Sequence, residues 1–178
     1  MVSICGKNKK IMIKDSSVLR YCTFQIFGND NTITIGSHCF INGGNFWIED
    51  CGGEIEIGDR TTILGKTSLA VIEGTRIEIG KDCMFSSNIS IRTGDSHSII
   101  DSCGKRINPS MNVKVGNHVW LGAEVMYLKG AVISDNSIIG TRTLVNKPFE
   151  EENVVLVGSP ARIVNRNINW DRERIKIN

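Results

Sequence analysis

The chain has 178 residues, enough for one ordinary domain, with 40% hydrophobic and 22% charged residues as in a typical globular protein. A formal net charge of +2 gives no reason to expect nucleic acid as a partner, and no apolar run approaches the ~20 residues needed to cross a bilayer. With 18 glycines against 3 prolines, the composition favours a turn-rich β protein over a disordered one.

Residues 1–10 carry charges with no apolar segment behind them, so they do not read as a secretory signal. The six cysteines (Cys5, Cys22, Cys39, Cys51, Cys83, Cys103) form no CxxC pair. Without an export signal they read as reduced thiols, which points to a cytoplasmic location and to no metal or disulfide framework.

Two columns of isoleucine run through the first half of the chain. Ile11, Ile33, Ile55 and Ile77 are spaced by 22 residues, and so are Ile13, Ile35, Ile57 and Ile79. The last three units read ITIGSHCFI, IEIGDRTTI and IEIGKDCMF, each with Gly followed three residues on by Cys or Thr. Residues 93–112 then break the pattern: they are polar, weakly periodic and contain Asp95-Ser96-His97, as in a loop carried by a scaffold.

From Val115 to Val145 the apolar positions recur every six residues. One set is Val115, Leu121, Tyr127, Ile133, Ile139 and Val145; a second, four residues later in each unit, is Val119, Val125, Ala131, Ser137 and Thr143. A period of six fits neither a helical stripe nor a simple amphipathic strand. It fits a short strand and a corner, with first-set side chains inward and second-set side chains small enough for a crowded interior. No such rung is stable alone; each needs a neighbour to stack on. Ile79 and Val115 are 36 residues apart, a whole number of sixes. The simplest account is a solenoid of three six-residue sides per turn, with ~4 extra residues bulging from one corner of each early turn. The outward slot before each first-set residue holds Trp120, Met126, Val132, Ile138 and Leu144, an apolar row that suggests a subunit contact. Residues 165–178 form a charged tail with Trp170 as an isolated apolar anchor, expected to cap the end of the solenoid.

The segment VGNHVWLGAEVMYLKGAVISDNSIIGTRTLV followed by VLVGSPARIV resembles the hexapeptide-repeat acyltransferases, in particular the maltose, galactoside and capsule-polysaccharide O-acetyltransferases. The resemblance covers Asp95 to Val164, while the earlier turns match only as generic repeat. It implies an all-β, left-handed parallel β-helix over residues 1–164, with an active-site loop at about 93–112 and a short C-terminal tail. Handedness comes from the resemblance and not from the spacing. It also implies a homotrimer that binds acetyl-CoA between subunits and transfers the acetyl group to a sugar or polysaccharide hydroxyl.

Three histidines are present, and only His97 lies outside the repeat; His38 and His118 share a corner slot that usually faces solvent. Alone, His97 reads equally well as a plain surface residue. By resemblance it is the general base, a task that suits an unperturbed pKa of ~6.5. Asp95 then either orients the imidazole, contacts the acceptor or is a simple turn residue. By motif position Trp120 lies near the CoA thiol arm and the acceptor, Ala123 and Thr141 touch the pantetheine arm, and Lys147 and Arg162 lie near the CoA phosphates. The second arginine of the family pattern falls on Asn165, with Arg166 one place on. Three rivals share the repeat: a γ-class carbonic anhydrase, a sugar-nucleotide N-acetyltransferase and a non-catalytic structural β-helix. The first needs closely spaced zinc-binding histidines, which this chain lacks.

Overall fold

The computed structural model describes residues 1–176. The chain winds as a left-handed parallel β-helix of about seven turns, with no helix among the described residues. Face 1 stacks Lys10–Ile13, Thr32–Ile35, Glu54–Ile57, Arg76–Ile79, Val113–Val115, Val132–Ile133 and Pro148–Phe149 in one parallel sheet. Faces 2 and 3 merge into a second sheet because two strands, Phe40–Ile48 and Thr62–Val71, bend through the corner between them.

From the second turn onward the isoleucine columns form the core; in the first turn Ile11 is only partly buried and Ile13 is 50% exposed. Ile33, Ile55 and Ile77 pair in register on face 1, as do Ile35, Ile57 and Ile79, and all are 0–1% exposed. The first hexad set is equally buried at 0–1%, as is the small second set. Each turn passes from face 1 to face 2 through one residue of left-handed conformation: Ser16, His38, Arg60, Asp82, His118 and Asn136, with φ between 51° and 60°. The Gly before this corner and the Cys or Thr after it act together. Ser17, Cys39, Thr61 and Cys83 each turn inward and donate to the carbonyl of the next turn's glycine (Gly36, Gly58, Gly80 and Gly116). Burial pushes the Cys83 thiol up to about 12, so it packs as a small, unreactive side chain. All six cysteines are free thiols.

Three features of the sequence reading change. Val115 pairs with Ile79, so the 36 residues between them are a single turn, and the multiple of six is a coincidence of insertion length. The apolar residues Trp120, Met126, Val132, Ile138 and Leu144 do not form one row. Successive hexads lie on successive faces: Trp120 pairs with Ile138 on face 2, Met126 pairs with Leu144 on face 3, and Val132 lies on face 1. The tail straps the side of the solenoid instead of closing its end. Arg162–Arg166 pairs antiparallel with Val154–Val157, and the chain then runs back along the corner between faces 1 and 2. There the Trp170 ring stacks on His118, with centroids 4.1 Å apart, and its indole N–H donates to the His118 carbonyl. His118 Nδ1 sits 2.8 Å from Asp82, and Arg172 reaches both Asp82 and the Cys83 carbonyl. His38 stays exposed in the equivalent corner, whereas His118 is half-buried under the strap.

Replacing Ile57 with Ala removes a fully buried side chain and should cost about 2–5 kcal/mol. At roughly 2–4 °C per kcal/mol for a chain of this size, the melting temperature should fall by about 4–20 °C. A Cβ on Gly80 would meet the Gly116 oxygen at 2.4 Å, with rigid backbone on both sides, so Gly80→Ala should also lower the melting temperature clearly. Thermal unfolding by circular dichroism checks both. A Gly80→Ala variant that melts like wild type would contradict the close approach of successive turns at this corner.

Candidate active site

While the corner between faces 2 and 3 takes only a register shift between Asn42 and Gly44, the insertions that lengthen a turn by several residues enter at the corner between faces 3 and 1. The early turns carry residues 28–31, 49–53 and 72–75 there. In the fifth turn the chain leaves face 3 after Ile89–Arg92 and rejoins face 1 at Val113–Val115, so residues 93–112 project from that same corner. Ladder bonds hold the turns above and below in register, which leaves the loop free to lengthen without disturbing them.

The loop is closed at its neck by the Met111 N–H donating to the Thr93 carbonyl at 2.8 Å. Its centre is Asn108, 5% exposed, whose amide is fully used. The Asn108 Nδ2 group donates to Asp95 Oδ2 at 2.9 Å and to the His97 carbonyl at 2.8 Å, while Oδ1 accepts from the Ile99 N–H at 2.7 Å and from Arg106. Two ion pairs fasten the loop to the body. Lys129, one turn further along the helix, pairs with Asp95; Glu73, at the same corner of the preceding turn, pairs with Arg106 and accepts from the Ser110 N–H. The hydrogen bond from Arg106, with the proximity of Ser110 and its backbone N–H, holds the Glu73 carboxyl down at about 2. Asp95 is likewise below the usual carboxylate range, first through the Lys129 hydrogen bond and then through that of Asn108.

His97 stands exposed on this pinned loop, and its imidazole has no hydrogen-bond partner among the described residues. Asp95 is next to it in sequence, but its carboxylate faces Asn108 and Lys129, not the imidazole. The other sequence candidates lie elsewhere. Ala123 and the exposed Thr141 stack one turn apart at the corner between faces 2 and 3. A Cβ on Gly122 would lie 2.7 Å from the Thr141 nitrogen, and the Ala123 carbonyl accepts from Arg142. A cleft of about 200 Å³ opens there, lined by Met126, Arg142, Leu144 and Ser159 among others. Trp120 lies on face 2, 38% exposed, with its ring 6.1 Å from Trp170. Lys147 holds its amine over the Phe149 ring at the corner between faces 3 and 1, and exposed Arg162 begins the final antiparallel strand. One chain therefore brings Ala123 and Thr141 together but sets His97 at a different corner, across face 3 from them.

The sequence reading missed Asn108, Lys129, Glu73 and Arg106, the residues that fix the loop. It also missed a groove of about 270 Å³ beside the loop, lined by Asn45, Trp47, Ser68, Arg92 and Ser96 among others. Copying the 22-residue period onto the outward positions links Ala70 to Arg92 but would set Trp47 against buried Leu69, because a one-residue register shift moves its true partner to Ala70. Nothing local marks Asn108 as buried.

No family model matches the chain. It is 34% identical over 197 aligned positions to a polysialic acid O-acetyltransferase of Neisseria meningitidis, spanning 97% of this chain and 90% of that protein. Among solved structures, the crystallographically analysed polysialic acid O-acetyltransferase OatWY is 35% identical with a TM-score of 0.69, covering 98% of this chain and 93% of that one. The polysialic-acid-specific acetyltransferase NeuO matches with a TM-score of 0.75 over 97% of this chain and 89% of its own; at 23% identity it supports the fold alone.

Because Glu73 and Asp95 are held below their ordinary values, loop docking is fully supported above about pH 4.5 and weakens as the pH falls toward about 2. Amide exchange in residues 95–110 should stay slow at pH 5 and rise as the pH drops through this window. Glu73→Gln should show the faster exchange already at pH 7. Equal protection in that variant and the wild type would remove the Glu73–Arg106 pair as a fastening.

Proposed function

The chain belongs to the hexapeptide-repeat acyltransferases, and from that premise we propose that it transfers an acetyl group from acetyl-CoA to a hydroxyl of a sugar or polysaccharide, with His97 as the general base. Relatives that are O-acetyltransferases by name support an oxygen acceptor over the amine of an N-acetyltransferase. The observation that carries the catalytic assignment is the state of His97: an exposed imidazole with no hydrogen-bond partner among the described residues, on a loop held in place by Asn108, Asp95 and Arg106.

In this reading His97 takes the proton from the acceptor hydroxyl as that oxygen attacks the thioester carbonyl. The tetrahedral adduct collapses, the C–S bond breaks, and the leaving sulfur receives the proton from the imidazolium. The products are an acetyl ester and the free CoA thiol. Asp95 acts as a positioning residue: through Asn108 and Lys129 it fixes the backbone that presents His97. Holding both substrates in one geometry removes much of the entropic barrier.

The acyl donor fits the opposite corner. The cleft lined by Met126, Arg142, Thr143 and Leu144, close in sequence to Ala123 and Thr141, is suited to a narrow, partly apolar pantetheine arm, and Trp120 lies on the adjoining face 2. Lys147 and Arg162 supply positive charge for the CoA phosphates. Since His97 and this corner are separated on one chain, the complete site needs the loop of one subunit beside the donor corner of another. That requirement, together with the family's trimeric habit, supports a homotrimer. A cytoplasmic location follows from the need for acetyl-CoA.

Acetyl-CoA offered with a panel of neutral and acidic sugars should release free thiol only when an acceptor hydroxyl is present. His97→Ala should lower turnover by ~10²–10⁴-fold with the melting temperature unchanged. Near-normal turnover in that folded variant would take the base role away from His97.

A further inference from the structure

The groove beside the loop is built from the outward positions of face 3. In register across three turns, Trp47 pairs with Ala70 and Ala70 with Arg92. Strands stack at about 4.8 Å, so the Trp47 and Arg92 backbones stand about 10 Å apart, with a single methyl group between them. The result is a slot with an indole at one wall, a guanidinium at the other and a shallow floor. In the neighbouring outward column Asn45 donates to Ser68 at 3.5 Å, and both line the slot with hydroxyl and amide groups. Ser96, which precedes His97 in the loop, completes the rim.

Charge separates the two ends. The Trp47 indole N–H points at Glu49 (3.4 Å), and its ring also leans on Phe27 at 5.3 Å. At the other end Arg92 has no ion-pair partner among the described residues, whereas Arg76, Arg106 and Lys129 around the same corner are each paired with carboxylates. A cation left unpaired over a groove is set to receive an anion, while Glu49 at the far end accepts hydroxyl protons and repels a second acid group. At about 270 Å³ the slot sits at the small end of ligand sites, roughly 300–1,000 Å³, which is room for one sugar unit.

From this geometry we infer that the slot is the acceptor subsite and that it selects a carboxylate-bearing sugar. Arg92 pairs with the carboxylate, Trp47 lies along the apolar face of the ring, and Asn45, Ser68 and Glu49 take its hydroxyls. This deepens the acetyl-transfer reading and rests on it for the identity of the reacting hydroxyl, but binding tests it without catalysis. A charge-assisted, bidentate guanidinium–carboxylate contact sets the expected size of the effect.

The experiment compares equilibrium binding of a sialic acid trimer with that of its neutral methyl ester, to the full chain in the absence of acetyl-CoA. Wild type should bind the acid form about 10–100-fold more tightly than the ester. Arg92→Gln should bring that ratio close to one with no change in melting temperature or in the KM for acetyl-CoA. Trp47→Ala should weaken acid and ester alike. Equal binding of acid and ester by wild type, or an undiminished preference in Arg92→Gln, overturns the inference. The two readings fail separately: selective binding without acetyl transfer to any sugar would sink the transferase reading alone, while transfer that ignores the carboxylate would sink the Arg92 assignment alone.

Discussion

Register between stacked turns is the constraint on which the rest of this structure depends. Every face is a parallel ladder, and shifting a strand by one residue would turn its buried column outward. Ile55 must lie against Ile33 and Ile77, so the chain cannot gain or lose residues within a face without breaking the core. Length can change only where the ladder is interrupted. In this chain the corner between faces 3 and 1 holds the short insertions of the early turns and the long loop of the fifth, and the corner between faces 2 and 3 holds a small register shift. The position of His97 follows from a packing rule before any question of chemistry arises.

The same rule separates the parts of the proposed site. The loop leaves one edge of face 3, and the Ala123–Thr141 corner lies at the other. Between them runs a surface whose outward residues the ladder fixes, including the Trp47–Ala70–Arg92 slot that opens beside the loop. On the far side the strap from Arg162 to Arg172 covers face 2 near Trp120 and pins His118, leaving His97 as the histidine on the loop side of the solenoid. In the proposed reading, an acetyl donor held at one corner meets an acceptor at the other across a contact with a second chain.

Much of this was legible in the sequence, because a stacked turn writes its period directly into the apolar positions. The Ile columns, the six-residue sets, the recurrence of Cys or Thr three residues after Gly and the break at residues 93–112 all come from spacing. Errors arose where neighbours in sequence were taken for neighbours in space. Trp120, Met126 and Val132 are six apart and so face three different directions; residues that share a face are 18 apart in this part of the chain. The spacing of Ile79 and Val115 misled for the same reason, since a loop of suitable length mimics whole hexads. The fastening of the loop was not legible at all. Asn108, Lys129 and Glu73 meet through turn-to-turn stacking, and no local pattern records which polar residue ends up buried. Asp95 drew attention as a neighbour of His97, yet its carboxylate serves Lys129 and Asn108.

The claim most exposed to test is that one active site takes His97 from one chain and the acyl-donor corner from another. Two variants, His97→Ala and Ala123→Trp, each inactive alone, would be unfolded, mixed in equal amounts and refolded together before assaying thiol release with a sugar acceptor. If the site is shared in a closed ring, random assembly pairs an intact loop with an intact corner at about a quarter of the sites, and about that fraction of wild-type activity returns. A mixture no more active than its two components would show that each chain carries its own site, and the account would fail at its centre.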